Sequence, residues 1–302
     1  PTCVVADGGK TFIALRPMLI GLALRLIGPR RPSVYALTGR GYLGGGDSLF
    51  ARLLRLALRL ATPALAGRRA WFLFENKDDP AFLGLDLATA SNITILGGAG
   101  VDPEQWRPEP LPEGETLRIA FVGRMLQIKG VADAVEAIGL ARAEGVRVEL
   151  SLYGEPDPAN PASLTEDELR RWGSLPGVAW RGRTDNAAAV WAAHHVCVQP
   201  SREGEGLPRA LLEAAACGRA IVATDTPGCR DFVRDGVEGI LIPPMRPDRL
   251  ANAFVLLAGD RERVRRFASA SRKRIFDGYT IADVQAATVK AYLHLWKGGR
   301  IS

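Results

Sequence analysis

Between residues 117 and 242 the chain alternates short, apolar, β-rich runs with helical stretches, and this alternation constrains its fold more than any other feature. Strands are expected at 117–122, 146–153, 178–181, 196–199, 220–224 and 239–242. Helices are expected between them at 131–143, 166–172, 187–193 and 208–216. Strands that alternate in this way with helices read as a parallel, doubly wound sheet with helices on both faces. Ligands bind such sheets outside the carboxyl ends of the strands. The loops after residues 122, 199 and 224 are therefore where chemistry should lie.

Upstream the pattern is sparser. Strands are expected at 3–6, 33–37, 71–74 and 93–96, with helices near 19–27 and at 49–61, too few strands for a complete companion domain. Residues 102–115 hold Pro103, Pro108, Pro110 and Pro112 among acidic residues and read as an interdomain linker. Residues 281–296 read as a long terminal helix, apolar at Ile281, Val284, Ala287, Ala291 and Leu295. The expected organisation is an incomplete first domain with its linker over 1–117, a second domain over 118–279, and a terminal helix over 280–302 that packs back on the first.

The formal charge of +6 is uneven, because residues 1–74 carry eleven Lys or Arg against only Asp7 and Asp47. Such asymmetry suits an anionic partner: a membrane surface, a nucleic acid or a phosphorylated substrate. No interleaved aromatics or known module support nucleic acid, so that partner is not expected. The helix expected at 49–61 places Arg52, Arg55 and Arg59 at spacings of three and four among leucines. It reads either as a core helix with one wet face or as a surface for an anionic bilayer.

The four cysteines (Cys3, Cys197, Cys217, Cys229) form no paired spacing, which disfavours a disulfide framework and a zinc site and fits a reducing cytosol. His194, His195 and His294 show no ligand spacing with carboxylates, so no metal is expected. The apolar run 18–27 is too short to span a bilayer, and no signal-peptide pattern is legible. A first residue of Pro rather than Met suggests a fragment or a processed chain.

Two strings carry chemistry. The first, Gly123-Arg124 through Lys129-Gly130, sets two cations between a strand end and a helix, where Arg can grip a diphosphate with paired donors and Lys adds a point charge. The alternative is a pair of solvated charges in an ordinary loop. The second runs from Glu205 to Glu213. Pro208 suits a helix start, and the amides of Gly206 and Leu207 would then face a phosphate, unsatisfied, at the positive helix end. Glu213 lies among Leu211, Leu212, Ala214, Ala215 and Ala216, where a carboxylate needs a partner. The plainer reading makes Glu205 a solvated loop residue and Glu213 a helix-surface charge.

The string from Pro200-Ser201-Arg202-Glu203-Gly204-Glu205-Gly206-Leu207-Pro208 to Glu213-Ala214-Ala215-Ala216-Cys217-Gly218, with residues 220–224 and Thr226-Pro227-Gly228-Cys229-Arg230, closely resembles family 4 glycosyltransferases of the GT-B fold. The likeness covers roughly residues 3–296 and is strongest to the bacterial capsule, exopolysaccharide and O-antigen branch. It implies an α/β chain of two Rossmann-like domains, the first lacking its initial strands. It implies retaining, metal-independent transfer of a sugar from a nucleotide-diphosphate sugar, UDP-linked by analogy, to a lipid-linked or other glycan acceptor, at the cytoplasmic face of the membrane. The nucleotide-sugar is a substrate, and no cofactor is implied.

By the same resemblance Arg124 and Lys129 hold the donor diphosphate and act with Glu205, which contacts the donor sugar. Glu213 binds the nucleotide ribose, Gly123, Gly206, Leu207 and Pro208 line the donor site, and Arg183 occupies the base-contacting loop. Two departures stand out. The family's Gly-rich loop after the first strand has no counterpart, so about 60 to 80 residues are missing by usual domain size. Where many relatives carry a His, this chain has Thr38-Gly39-Arg40-Gly41-Tyr42. The pattern Glu75-Asn76 to Asp79 and residues 98–102 also resemble the branch, in an architectural role. Two other readings stay open: a nucleotide-sugar epimerase of GT-B fold, and a non-catalytic fragment that binds nucleotide-sugar.

Overall fold

A computed structural model describes residues 2–6, 33–38, 49–66 and 70–296. They form two compact units: Pro1–Gly100 with Gly204–Leu207 and Ile281–Ser302, and Val101–Glu203 with Pro208–Thr280. The expected helix near 19–27 and the loop Gly39 to Tyr42 lie outside the described residues.

The first unit holds a parallel sheet of β1 (Thr2–Ala6), β2 (Ser33–Leu37), β3 (Ala70–Phe74) and β4 (Ile93–Ile95), in that spatial order. Helix α1 (Leu49–Ala66) follows β2, and the short α2 (Asp79–Phe82) follows β3. Side chains alternate across the pleat. Tyr35, Phe72 and Phe74 pack on one face with Leu58, Leu83 and Leu85, while Val34 and Leu73 pack on the other with Ala291 of the last helix, α10 (Ile281–Trp296). Trp71 ties this face together: its ring lies 4.6 Å from that of His294 and its indole N–H donates to Thr94.

The second unit is a six-stranded parallel sheet of β5 (Leu117–Val122), β6 (Val148–Tyr153), β7 (Val178–Gly182), β8 (Val196–Gln199), β9 (Ala220–Thr224) and β10 (Gly239–Ile242). Its spatial order is β10-β9-β8-β5-β6-β7. The chain starts in the middle, winds outward to β7, then returns beside β5 and winds outward the other way. The crossovers include α3 (Val131–Ala143), α4 (Glu166–Gly173), α5 (Ala187–Ala192) and α6 (Arg209–Ala216). In α3 the buried residues Val131, Ala134, Val135, Ile138 and Ala141 recur at helical spacing, giving one apolar stripe against the sheet. A reciprocal cap starts α4: Glu168 N–H donates to the Thr165 hydroxyl and Thr165 N–H donates to the Glu168 carboxylate. After the short α7 (Cys229–Phe232), α8 (Pro247–Gly259) packs on α3, and α9 (Arg261–Ile275) packs on β9 and α6.

The proline-rich segment 102–115, expected as a linker, is fixed to this unit by arginine donors. Arg219 is fully buried and donates to the carbonyls of Glu109 (2.7 Å) and Pro110 (3.3 Å). Arg272 donates to Pro103, Trp106 and Ala216 carbonyls. Prolines have no N–H with which to join a ladder, so carbonyls buried along this strap take their hydrogen bonds from side chains.

Candidate functional site

The winding of the second sheet reverses between β5 and β8, the place where open α/β sheets leave a crevice at their carboxyl ends. The loops leaving those two strands are 123–130 and 200–208, which hold most of the residues singled out from the sequence. Their approach is close. Gly130 has φ +68°, and a Cβ there would lie 1.9 Å from the Pro200 carbonyl oxygen, so both backbone conformation and space demand glycine. Arg202 N–H donates to the Ile128 carbonyl at 2.8 Å. Its guanidinium reaches Asp133 on α3 through Nε (2.8 Å) and Nη2 (2.6 Å). The loop after β6 joins them, since a Cβ on Gly154 would meet the Gly123 carbonyl oxygen at 1.8 Å.

Gly123 and Arg124 follow β5 directly. Arg124 is exposed and pairs through Nη1 with Asp157 at 3.1 Å. Lys129 closes a single 3₁₀ turn, Gln127–Lys129, immediately before α3. Pro208 is the N-cap of α6 in an extended conformation, and the helix proper begins at Arg209. Glu213, 8% exposed, projects from this helix and accepts from Arg209 Nε at 2.8 Å, one turn earlier. Burial pushes the Glu213 carboxyl above the ordinary range, against the opposing charge and hydrogen bond of Arg209.

The middle of the second loop, Gly204–Leu207, makes its contacts within the first unit. Asn76 Nδ2 donates to the Glu205 carbonyl at 2.9 Å, and Asn76 Oδ1 accepts from the amides of Asp78 and Asp79 that open α2. A Cβ on Gly206 would fall 2.1 Å from Glu75 Oε2 and 2.3 Å from the Thr38 carbonyl. The Leu207 N–H was expected to stay unsatisfied for a phosphate. Instead it donates to Glu75 at 3.1 Å, because a carboxylate of the first unit reaches it.

Arg183 follows the edge strand β7, two strands from β5. It is exposed and pairs with Asp185 at 3.2 Å. His194 donates from Nδ1 to the Val190 carbonyl (2.6 Å). His195 accepts the Arg118 N–H at Nδ1 (3.0 Å) and donates from Nε2 to the Pro112 carbonyl (2.9 Å). Burial lowers both pKa values, that of His195 to about 4. Among the described residues no cluster of His, Cys, Asp or Glu is arranged to hold a metal ion.

Sequence reasoning missed four partners: Asp157, Asp133, Arg202 and Arg209. Arg209 was within reach of it, since a cation four residues from Glu213 on a helix is a recognisable pair. The union of Asp133 and Arg202 spans 69 residues and has no local signature.

Comparison with known proteins shows what the chain resembles. Residues 116–260 match the family described as Glycosyl transferases group 1. The alpha-maltose-1-phosphate synthase of Mycolicibacterium smegmatis is 32% identical over 215 residues, 64% of this chain and 54% of that protein. The phosphatidyl-myo-inositol mannosyltransferase of the same organism is 32% identical over 203 residues, 62% and 50%. The chain thus spans about half the length of these curated relatives. Among solved structures, Anabaena Alr3699/HepE in complex with UDP superposes with a TM-score of 0.75 at 19% identity, over 92% of this chain and 76% of that one. The same Anabaena protein is also solved with UDP-glucose. The fold is the GT-B architecture of parallel α/β units, and within it residues 116–260 belong to the group 1 glycosyl transferases.

Proposed function

We propose that this chain carries the donor-binding part of a retaining glycosyltransferase that moves a sugar from a UDP-linked donor to a lipid-linked glycan, in bacterial surface polysaccharide synthesis at the cytoplasmic face of the membrane. One observation carries the reading: the switch point of the second sheet sets the loop of Arg124 and Lys129 against the loop that leads into α6 and Glu213. A diphosphate in that crevice would draw Arg124 from Asp157 and find Lys129 close to the positive end of α3. Both cations would then stabilise the charge that develops on the departing diphosphate. Glu213, ionised, accepts hydrogen bonds from the ribose diol, and Glu205 contacts the donor sugar. Gly123, Gly206, Leu207 and Pro208 shape the donor site, and Arg183 lies toward the base. No metal or cofactor enters the step.

The Anabaena complexes support a uridine diphosphate donor, and the mannosyltransferase relative supports a lipid acceptor. Calorimetric titration with UDP, UDP-glucose and ADP tests the donor: UDP should bind more tightly than ADP. Transfer to a polyprenol-diphosphate glycan in the presence of EDTA, with the anomeric proton coupling of the product read by NMR, tests the rest. An inverted product, or activity abolished by EDTA, would overturn the retaining, metal-independent chemistry. Epimer formation from free UDP-sugar without acceptor would make the chain an epimerase.

A further inference from the structure

Two acids of the second unit meet an arginine in different ways. Asp133, on α3, gives both of its carboxylate oxygens to Arg202, one to Nε and the other to Nη2. Glu213, on α6, gives only one: Oε1 accepts from Arg209 Nε at 2.8 Å, and Oε2 has no partner among the described residues. The two carboxylate side chains are withdrawn from water to the same degree, 10% exposed for Asp133 and 11% for Glu213. A carboxylate offers about four acceptor positions. The fork of Arg202 closes Asp133, whereas the single bond from Arg209 leaves most of Glu213 open. Arg209 is itself 71% exposed, so the pair adds little to the fold and its effect falls on the acid.

We infer that Arg209 is a positioning residue for the donor nucleotide: it holds Glu213 by one oxygen, with the other free, and keeps it ionised to accept from the vicinal diol of a ribonucleotide. The inference rests on the reading of Glu213 given above and adds what fits that acid for its work. Burial drives Glu213 toward the neutral form, and the charge and hydrogen bond of Arg209 oppose it. The surroundings supply little else. Helix α6 packs on α5, β8, β9 and α9, and neither α5 nor β9 carries an ionisable side chain. Strand β8 brings Cys197, whose thiol burial pushes up. Cys217, just past the end of α6, is raised by burial to about 11, so both thiols stay neutral wherever a carboxyl titrates. From α9, Arg272 reaches α6 at its far end, where Nη1 donates to the Ala216 and Trp106 carbonyls. The charge on Glu213 therefore depends on Arg209, one turn earlier on the same helix.

Calorimetric titration of the full chain with UDP and with 2′-deoxy-UDP, repeated from mildly acidic to mildly alkaline pH, tests it. The ratio of the two affinities isolates the ribose hydroxyl, because protonation of the diphosphate is common to both ligands and cancels. In the wild type the ratio should be about tenfold or more on the alkaline side, the worth of a hydrogen bond to a charged acceptor, and should fall on acidification as Glu213 takes up a proton. In Arg209→Met, which keeps the length and removes the charge, the pH of half-fall should move upward by about 0.5 to 1 unit, a shift moderated by the exposure of Arg209. Arg209→Lys should bring it back toward the wild type. Thermal melts on the alkaline side verify that both variants are folded. A Met variant that keeps the wild-type midpoint would overturn the inference, as would a Lys variant displaced as far as Met. Equal binding of the two nucleotides by the wild type at every pH would remove Glu213 from the ribose, and the inference would fall with that reading; a preserved wild-type preference with an unmoved Met variant would sink the inference alone.

Discussion

Arg202 and Asp133 hold the two loops of the candidate site in register: the guanidinium lays Nε and Nη2 on the two carboxylate oxygens of a residue in the first turn of α3, at 2.8 and 2.6 Å. The Asp133 side chain is 10% exposed and that of Arg202 35%. Removing the cation leaves a nearly buried carboxylate. Arg202→Ala is expected to lose about 2 kcal/mol of stability, below the loss for a fully buried pair because Arg202 is partly solvated. UDP affinity should weaken as the loops lose register, and Arg202→Lys should restore stability better than affinity, since Lys cannot make the paired contact. Urea unfolding and calorimetry on the same variants separate the two effects; equal rescue of both by Lys would reduce the pair to a simple charge contact.

Arg124 has a different kind of partner. Its ion pair with Asp157 is solvent-exposed, and such pairs contribute about 0 to 1 kcal/mol. Arg124→Ala should therefore leave the melting temperature nearly unchanged while turnover falls about 100-fold or more, as expected for a lost contact to developing charge. Near wild-type turnover in a sugar-transfer assay would remove Arg124 from the chemistry.

Glu213 couples pH to binding. Burial raises its pKa in the folded chain, so ionisation at neutral pH is a cost to the fold: the stability this group contributes is present below its unfolded pKa and lost as pH rises through the folded one. Glu213→Gln is thus expected to be at least as stable as the wild type at neutral pH. Its UDP affinity should fall about 10-fold or more, the worth of hydrogen bonds to a charged acceptor. In the wild type, affinity should decline on acidification starting at a higher pH than an ordinary carboxylate would give. A Gln variant that binds UDP normally with an unaltered pH profile would release Glu213 from the ribose.

His195 works in the opposite sense. Its folded pKa of about 4 lies below the unfolded 6.5, so the unfolded chain takes up the proton first as pH falls. Stability contributed by the neutral ring is complete above pH 6.5 and is lost between there and pH 4, by about 3 kcal/mol. His194 shifts the same way. Subtracting the pH-stability curve of His195→Gln from that of the wild type should isolate this slope, and identical slopes would show that the ring is not held neutral.

The second sheet was legible because each strand carries its own apolar run and each crossover its own period; α3 begins and ends where its pattern said. That Arg124 and Lys129 lie in a strand-to-helix loop and Glu213 on the helix Arg209–Ala216 could be read because those elements are local in sequence. What could not be read was set by distant partners. The Leu207 amide is claimed by Glu75, 132 residues away. The prolines that mark an interdomain linker do not show that its carbonyls are held by Arg219 and Arg272, which lie 100 residues and more downstream. For α1, helical spacing revealed two faces, but only the packing of Leu58 decides which one turns inward.

The last helix returns to the first sheet, where Ala291 packs with Val34 and Leu73. Recombination between homologous enzymes to exchange donor preference therefore has two natural crossover points rather than one, near residues 100 and 281. A graft with a single junction would hand the recipient a foreign α10 to seat on its own β2 and β3, and mismatched side chains there would cost yield before any change of sugar could be assayed.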